Sequence, residues 1–146
     1  MLAAVCLVAL PAVATAAASP AQLAVFAAKQ SFKGAHAAQW QLLHPKYKQA
    51  VVKSRFVACE RKLAASVGKI TVKNVQAEGT RVIPATLPLL GKVRVNGVTM
   101  AVTYTRPGVK GNSVAEVESY WVALGSKFVR ILLPAEYNAY KAGRCP

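Results

Sequence analysis

The feature that most constrains this fold is a change of period at Gly68-Lys69. Before that point apolar residues recur at helical spacing; after it they alternate. From Ala21, the residues Leu23, Phe26, Ala27 and Gln30 share one helical face, and Gly34 ends the run. His36, Trp40, Leu43 and Tyr47 form a second stripe, interrupted at His44-Pro45. Pro45 cannot continue the earlier helix but suits the first turn of a new one. A third series, Phe56, Cys59, Leu63 and Val67, stops at Gly68, with Ser54 as its expected cap. His44, at a helix end, is expected to bond carbonyls and favour the helix dipole.

Beyond Lys69 the pattern predicts strands. Ile70 and Val72 start one. Residues 80 to 91, punctuated by Pro84 and Pro88, read as an edge strand or a loop. Asn96-Gly97, between Lys92-Val95 and Val98-Thr105, predicts a two-residue hairpin turn, since both turn positions need positive φ. In the second run Val98, Met100, Val102 and Tyr104 face one side. Turn residues follow at 106–108 and 111–112, then a long strand from Ser113 to Leu124. Gly125-Ser126 forms a tight turn and Lys127 to Leu133 the last strand. Pro134 opens a short helix that ends near Gly143. Helices first and an antiparallel meander afterwards give an α+β class, with N-terminal helices packed on a curved antiparallel sheet.

The N-terminus reads as an export signal over residues 1–18, leaving a single domain at 19–146. The run Leu2 to Leu10 is wholly apolar, Pro11 breaks it, and a mostly small-residue stretch leads to Ser19. Two A-x-A sites, Ala14-Thr15-Ala16 and Ala16-Ala17-Ala18, place cleavage near Ala16 to Ala18. No Lys or Arg precedes the apolar run, which points to a translation start upstream of Met1. The alternative is an uncleaved anchor, because the chain is uncharged before Lys29 and a span needs only about 20 apolar residues. Either way the domain is secreted, periplasmic or held at the cell envelope. There an even pair of cysteines is usually bridged, which pairs Cys59 with Cys145 once Cys6 has left with the signal.

Charge narrows the partners. Nineteen Lys and Arg against five Glu give a net charge of +14, all of it beyond residue 28. Such a surface attracts polyanions, and an exported domain would meet acidic wall polymer or anionic lipid. The bases are scattered, with the densest stretch from Lys46 to Lys62. No repeated basic-aromatic pattern marks a nucleic-acid module, so no specific nucleic acid is expected.

Several chemistries are excluded by absence. The chain has no Asp, which removes a Ser-His-Asp triad and an EF-hand loop. It has no glycine-rich phosphate loop and no CxxC pair, and its two histidines, His36 and His44, lack ligand-like spacing. No metal or cofactor is expected. What remains is Glu116, Glu118 and Tyr120, which alternate along one strand and therefore share a face. Carboxylates at that spacing sit about 6–7 Å apart, close enough for one to raise the other's pKa in an acid/base site. The competing use is pairing with bases on adjacent strands.

The pattern resembles the small exported members of the nuclear transport factor 2-like superfamily. The resemblance is carried by Trp40-Gln41-Leu42-Leu43-His44-Pro45 closing an early helix, by Phe56 and Cys59 on the next, and by Tyr104-Thr105-Arg106 and Tyr120-Trp121-Val122. The segment from Gly125 to Leu132 completes it, and the span is about Ala21 to Leu133. The resemblance implies a cone-shaped fold with a cavity between helices and sheet, lined by Trp40, Tyr104, Trp121 and Phe128, and often a homodimer through the sheet. Such a cavity can hold a lipid or small hydrophobe. The isomerases and dehydratases of that superfamily use Asp or His-Asp groups in the cone, and this chain has no Asp. The expectation is a non-enzymatic exported domain that acts at the envelope by binding or assembly. Its ligand would be acidic wall polymer, lipid or a small hydrophobe. The alternative is an isomerase, dehydratase or hydrolase that uses a cavity glutamate, Glu116 or Glu118.

Overall fold

Ser19 caps the first helix: its hydroxyl accepts from the Gln22 N–H, while the Gln22 side chain accepts from the Ser19 N–H. This reciprocal capping starts helix α1, Pro20–Phe32, with Pro20 in the first turn. The structure, a computed structural model, describes residues 17–146, so the expected apolar signal core and the first sixteen residues of the alternative anchor lie outside the described residues. Among the described residues no helix is long and apolar enough to cross a membrane.

Three more helices follow before the sheet: α2 His36–Leu42, α3 Pro45–Ala50 and α4 Lys53–Val67. The expected second stripe is therefore two helices, split where Pro45 lacks an N–H to give. His44 does not serve the end of α2 as expected. Its Nδ1 accepts from the Lys46 N–H at 3.1 Å and so caps the start of α3. An imidazole that accepts there is neutral, and burial, followed by the nearby Lys46 charge, holds its pKa below the ordinary value. Ser54 does not cap α4 either; the N-cap is Val52, and no side chain bonds the first turn.

The sheet has four antiparallel strands in the order β1 Thr71–Leu87, β2 Gly91–Thr105, β3 Ser113–Leu124 and β4 Lys127–Arg130. Helices packed on an antiparallel sheet make the α+β class. Residues 80–87 belong to the edge strand, which is where Pro84 is tolerated. Two register shifts in β1, at Val72/Asn74 and Ala77/Gly79, are bulges of the kind that bend a strand.

The Asn96-Gly97 hairpin is overturned. Both residues lie inside one continuous strand, with Asn96 opposite Trp121 and Gly97 opposite Tyr120. The turn between β1 and β2 falls at Pro88–Leu90, with positive φ at Leu89 and at Gly91. Helix α3 fixes it: the Tyr47 hydroxyl donates to the Pro88 carbonyl at 3.2 Å and Lys46 Nζ to the Leu89 carbonyl at 3.0 Å. Glycine at 97 serves close approach, because a Cβ there would lie 3.3 Å from the Tyr120 ring. The last strand is also shorter than expected, ending at Arg130. Pro134 then opens α5, Pro134–Lys141, whose start is capped by Glu136 accepting from the Leu133 N–H at 2.7 Å.

Two apolar clusters hold these layers together. In one, Ala24 and Ala27 of α1 meet Val75, Val98, Met100, Val102 and Trp121 of the sheet; the small alanines let the helix backbone come close. Trp121 is completely buried, and its indole N–H is satisfied by Ser119 Oγ at 2.8 Å. In the other, Leu43, Tyr47, Phe56, Cys59, Val122, Ile131, Leu132 and Tyr140 join α2–α5 to the far end of the sheet. The Cys59–Cys145 disulfide is formed, with Cα atoms 5.2 Å apart, and it ties the middle of α4 to the C-terminal tail. Arg55 reinforces that tie by donating to the Gly143 carbonyl.

Candidate functional site

Helix α4 buries only the first half of its apolar stripe. Phe56 and Cys59 enter the core, but Leu63 is 57% exposed and Val67 46%. These two side chains form one wall of a groove of about 690 Å³. Phe32 and Ser31 come from the end of α1, Ile70 from the entry to β1, Pro107 from the β2–β3 turn, and Val117 from β3. A groove of this size is within the usual range for small-molecule sites, about 300–1,000 Å³. Its lining surface is mostly apolar, with Glu60 and Lys69 as its charged members.

At its inner end the groove turns polar. Glu60, one turn before Leu63, borders both the groove and a narrower cleft of about 150 Å³ that Gln39, Glu118, Ser119 and Arg130 also line. Burial raises the Glu60 pKa above its ordinary value; Arg130 and His36 pull it back, and Glu136 adds to the rise. Arg130 Nη1 donates to Gln39 Oε1 at 3.1 Å, and Gln39 Nε2 donates to the Ala27 carbonyl at 3.4 Å. Two buried polar atoms beside this cluster, His36 Nδ1 and the Tyr140 hydroxyl, have no hydrogen-bond partner. Tyr140 is held protonated, by burial first and then by the neighbouring Glu60 charge.

The residues singled out from sequence lie elsewhere. Glu116, Glu118 and Tyr120 do share one face, but both carboxylates are exposed on the side of β3 opposite Val117 and Trp121. Glu118 pairs with Arg81 at 3.0 Å, accepts from Thr99 Oγ1 at 3.5 Å, and accepts from the Tyr120 hydroxyl. That last bond is the main reason the Tyr120 pKa is raised. The side chains form a cross-strand charge network on the outer face, although Glu118 also borders the narrow cleft beside Ser119.

Nor do the four aromatic residues line the groove. Trp121 is core, and Phe128 and Tyr104 pack around the same cluster. Trp40 covers the second cluster, donates to the Val51 carbonyl at 3.2 Å, and carries Lys48 and Lys53 over its ring. Large rings that pack well do not leave space; the groove opens where small and aliphatic residues stop short of one another.

The residue that sequence analysis passed over is Glu60. Its signal was present: it sits four after Phe56 and three before Leu63, so it is an acid on the apolar face of an amphipathic helix. Among the described residues no three His, Cys, Asp or Glu side chains gather as a metal site. Compared with models of known protein families and with curated proteins, the chain matches none.

Proposed function

We propose that this chain is an exported, non-enzymatic binding domain of the nuclear transport factor 2-like kind, and that it holds a small hydrophobic molecule in the groove beside α4. The observation that carries this is the cluster of unburied apolar side chains, Leu63, Val67 and Phe32, converging on one lined space. A helix normally buries its apolar stripe, and here half of it is left for another molecule to cover. Binding fits the site better than catalysis by Glu116 or Glu118, since both are exposed on the other face. An enzyme would have to act through Glu60.

The test uses the disulfide-intact protein and an environment-sensitive apolar fluorophore. Saturable binding is expected, and Leu63→Glu should weaken it about tenfold or more, the equivalent of one lost apolar contact. Because Leu63 is exposed, the variant should keep its thermal stability. Equal binding by both proteins would overturn the proposal.

A second reading, attachment to an acidic polymer, is favoured by a different end of the molecule. His44, Lys46 and Arg94 line a cleft of about 310 Å³. Lys48 nearby has a lowered pKa, through burial first and the Lys127 charge second. Like charges left together without an acid between them suit a polyanion.

A further inference from the structure

Glu60 and Arg130 are the opposed charges of the inner cleft, yet they form no direct ion pair; among the described residues the salt bridge is Arg81–Glu118. Burial keeps the carboxyl pKa raised although Arg130 and His36 draw it down, so the group has lost water that a ligand's hydrogen bond can replace. Arg130 lines the cleft and gives Nη1 to Gln39, one of the five N–H donors a guanidinium carries. The orphaned His36 Nδ1 and Tyr140 hydroxyl sit beside the same carboxylate, both within its electrostatic reach. Buried polar atoms without partners are rare in native proteins and mark places where something else completes the bonding. This polar cluster opens directly onto the apolar groove through Glu60.

We infer that the inner cleft, bounded by Glu60, Gln39 and Arg130, recognises a neutral hydroxyl head on the hydrophobic ligand. This rests on the groove being a ligand site. The chemistry follows from what the cleft lacks. A bridging group must donate to the Glu60 carboxylate and accept from the Arg130 guanidinium. A hydroxyl does both through one oxygen and adds no charge. A carboxylate head would satisfy Arg130 but bring a like charge against Glu60. An ammonium head would satisfy Glu60 but face Arg130 with no lone pair to offer. Glu118, which also borders the cleft, is already paired with Arg81, so Glu60 and Arg130 are the charges left to a ligand and they offset one another. Either ion then leaves an uncompensated charge, which costs far more than an unmade neutral bond. The apolar body of the ligand would lie outward along Leu63, Val67, Ile70 and Val117.

The experiment compares three saturated single-chain amphiphiles of equal length, a primary alcohol, a carboxylic acid and a primary amine. Each displaces the apolar fluorophore from the disulfide-intact protein near neutral pH. The alcohol should bind about tenfold more tightly than either ion, the equivalent of one retained hydrogen bond to a charged group. Glu60→Leu removes the donor-accepting end without introducing a polar burial. With Arg130 then unopposed, the acid should bind at least as tightly as the alcohol while the amine stays weak, so the preference for the alcohol is lost while body binding persists. An acid or amine that binds wild type as tightly as the alcohol overturns the head-group inference and leaves the groove intact. So does a Glu60→Leu protein that keeps the full preference. Failure of all three to displace the fluorophore, with Leu63→Glu indistinguishable from wild type, removes the groove reading and this inference together.

Discussion

Glu60 is the residue on which most of the site depends, and its position makes it a net cost to the fold at neutral pH. Its folded pKa lies above the ordinary value of 4.5, burial being the leading cause. The folded protein therefore holds the proton more tightly than the unfolded chain. The stability linked to this group is fully present below the ordinary value and is lost as pH rises through the folded one. Glu60→Gln abolishes that linkage. Urea unfolding from about pH 4 to pH 7 should show the variant gaining on wild type as pH rises, and parallel curves would refute the assignment. The groups that face this carboxyl, Arg130, His36, Glu136 and Tyr140, remain in both proteins, so the difference isolates it. At this scale the sequence was only half legible. Glu60 stood visibly on an apolar stripe, but Arg130 and Gln39 lie 91 residues apart and meet only because β4 returns beside α2. The Glu116–Glu118 pair attracted attention through local alternation, which says which residues share a face but not which face is covered.

Among the elements, α4 is the one whose placement decides whether a groove exists. Its periodicity was plain from sequence, as was the bridge that holds it. The depth to which it sinks was not, because burial depends on what the sheet offers opposite each turn. The disulfide closes a loop spanning 86 residues, and the chain-entropy account gives about 4–5 kcal/mol for such a loop. Replacing both cysteines, Cys59→Ser with Cys145→Ser, should lower the unfolding free energy by about 2–5 kcal/mol in urea melts; an unchanged midpoint would show the bridge to be dispensable. The hairpin teaches the opposite lesson about local signals. Asn96-Gly97 has the strongest short turn signature in the chain, yet it lies mid-strand because Gly97 makes room for Tyr120 and Asn96 sits opposite Trp121. Leu89 and Gly91 take the positive φ instead, with α3 bonded to the turn they flank. A turn propensity of a few tenths of a kcal/mol yields to strand pairing on both sides.

For the whole molecule, charge sets the terms of encounter. A surface of +14 attracts any polyanion from a distance, and that attraction is screened within about 8 Å at physiological salt. Retention on an immobilised acidic polymer should be strong at low ionic strength and lost by a few tenths molar salt, and absence of retention at low salt would remove the polymer reading. On the proposed reading, selectivity belongs by contrast to the groove, whose apolar contacts salt does not screen. The α+β class and the order of helices before strands were readable from the period change alone, because periodicity is a property of each segment. The groove was not, because it is a mismatch between two surfaces. The bridge from α4 to the tail has one more consequence, and it concerns production. Cys59 is adjacent to Glu60, so the covalent tie sits beside the proposed head-group cleft. Protein made in a reducing cytoplasm and protein passed through an oxidising compartment would share every residue of the domain, yet only the second would have α4 covalently tied to the tail. The two preparations would be different reagents.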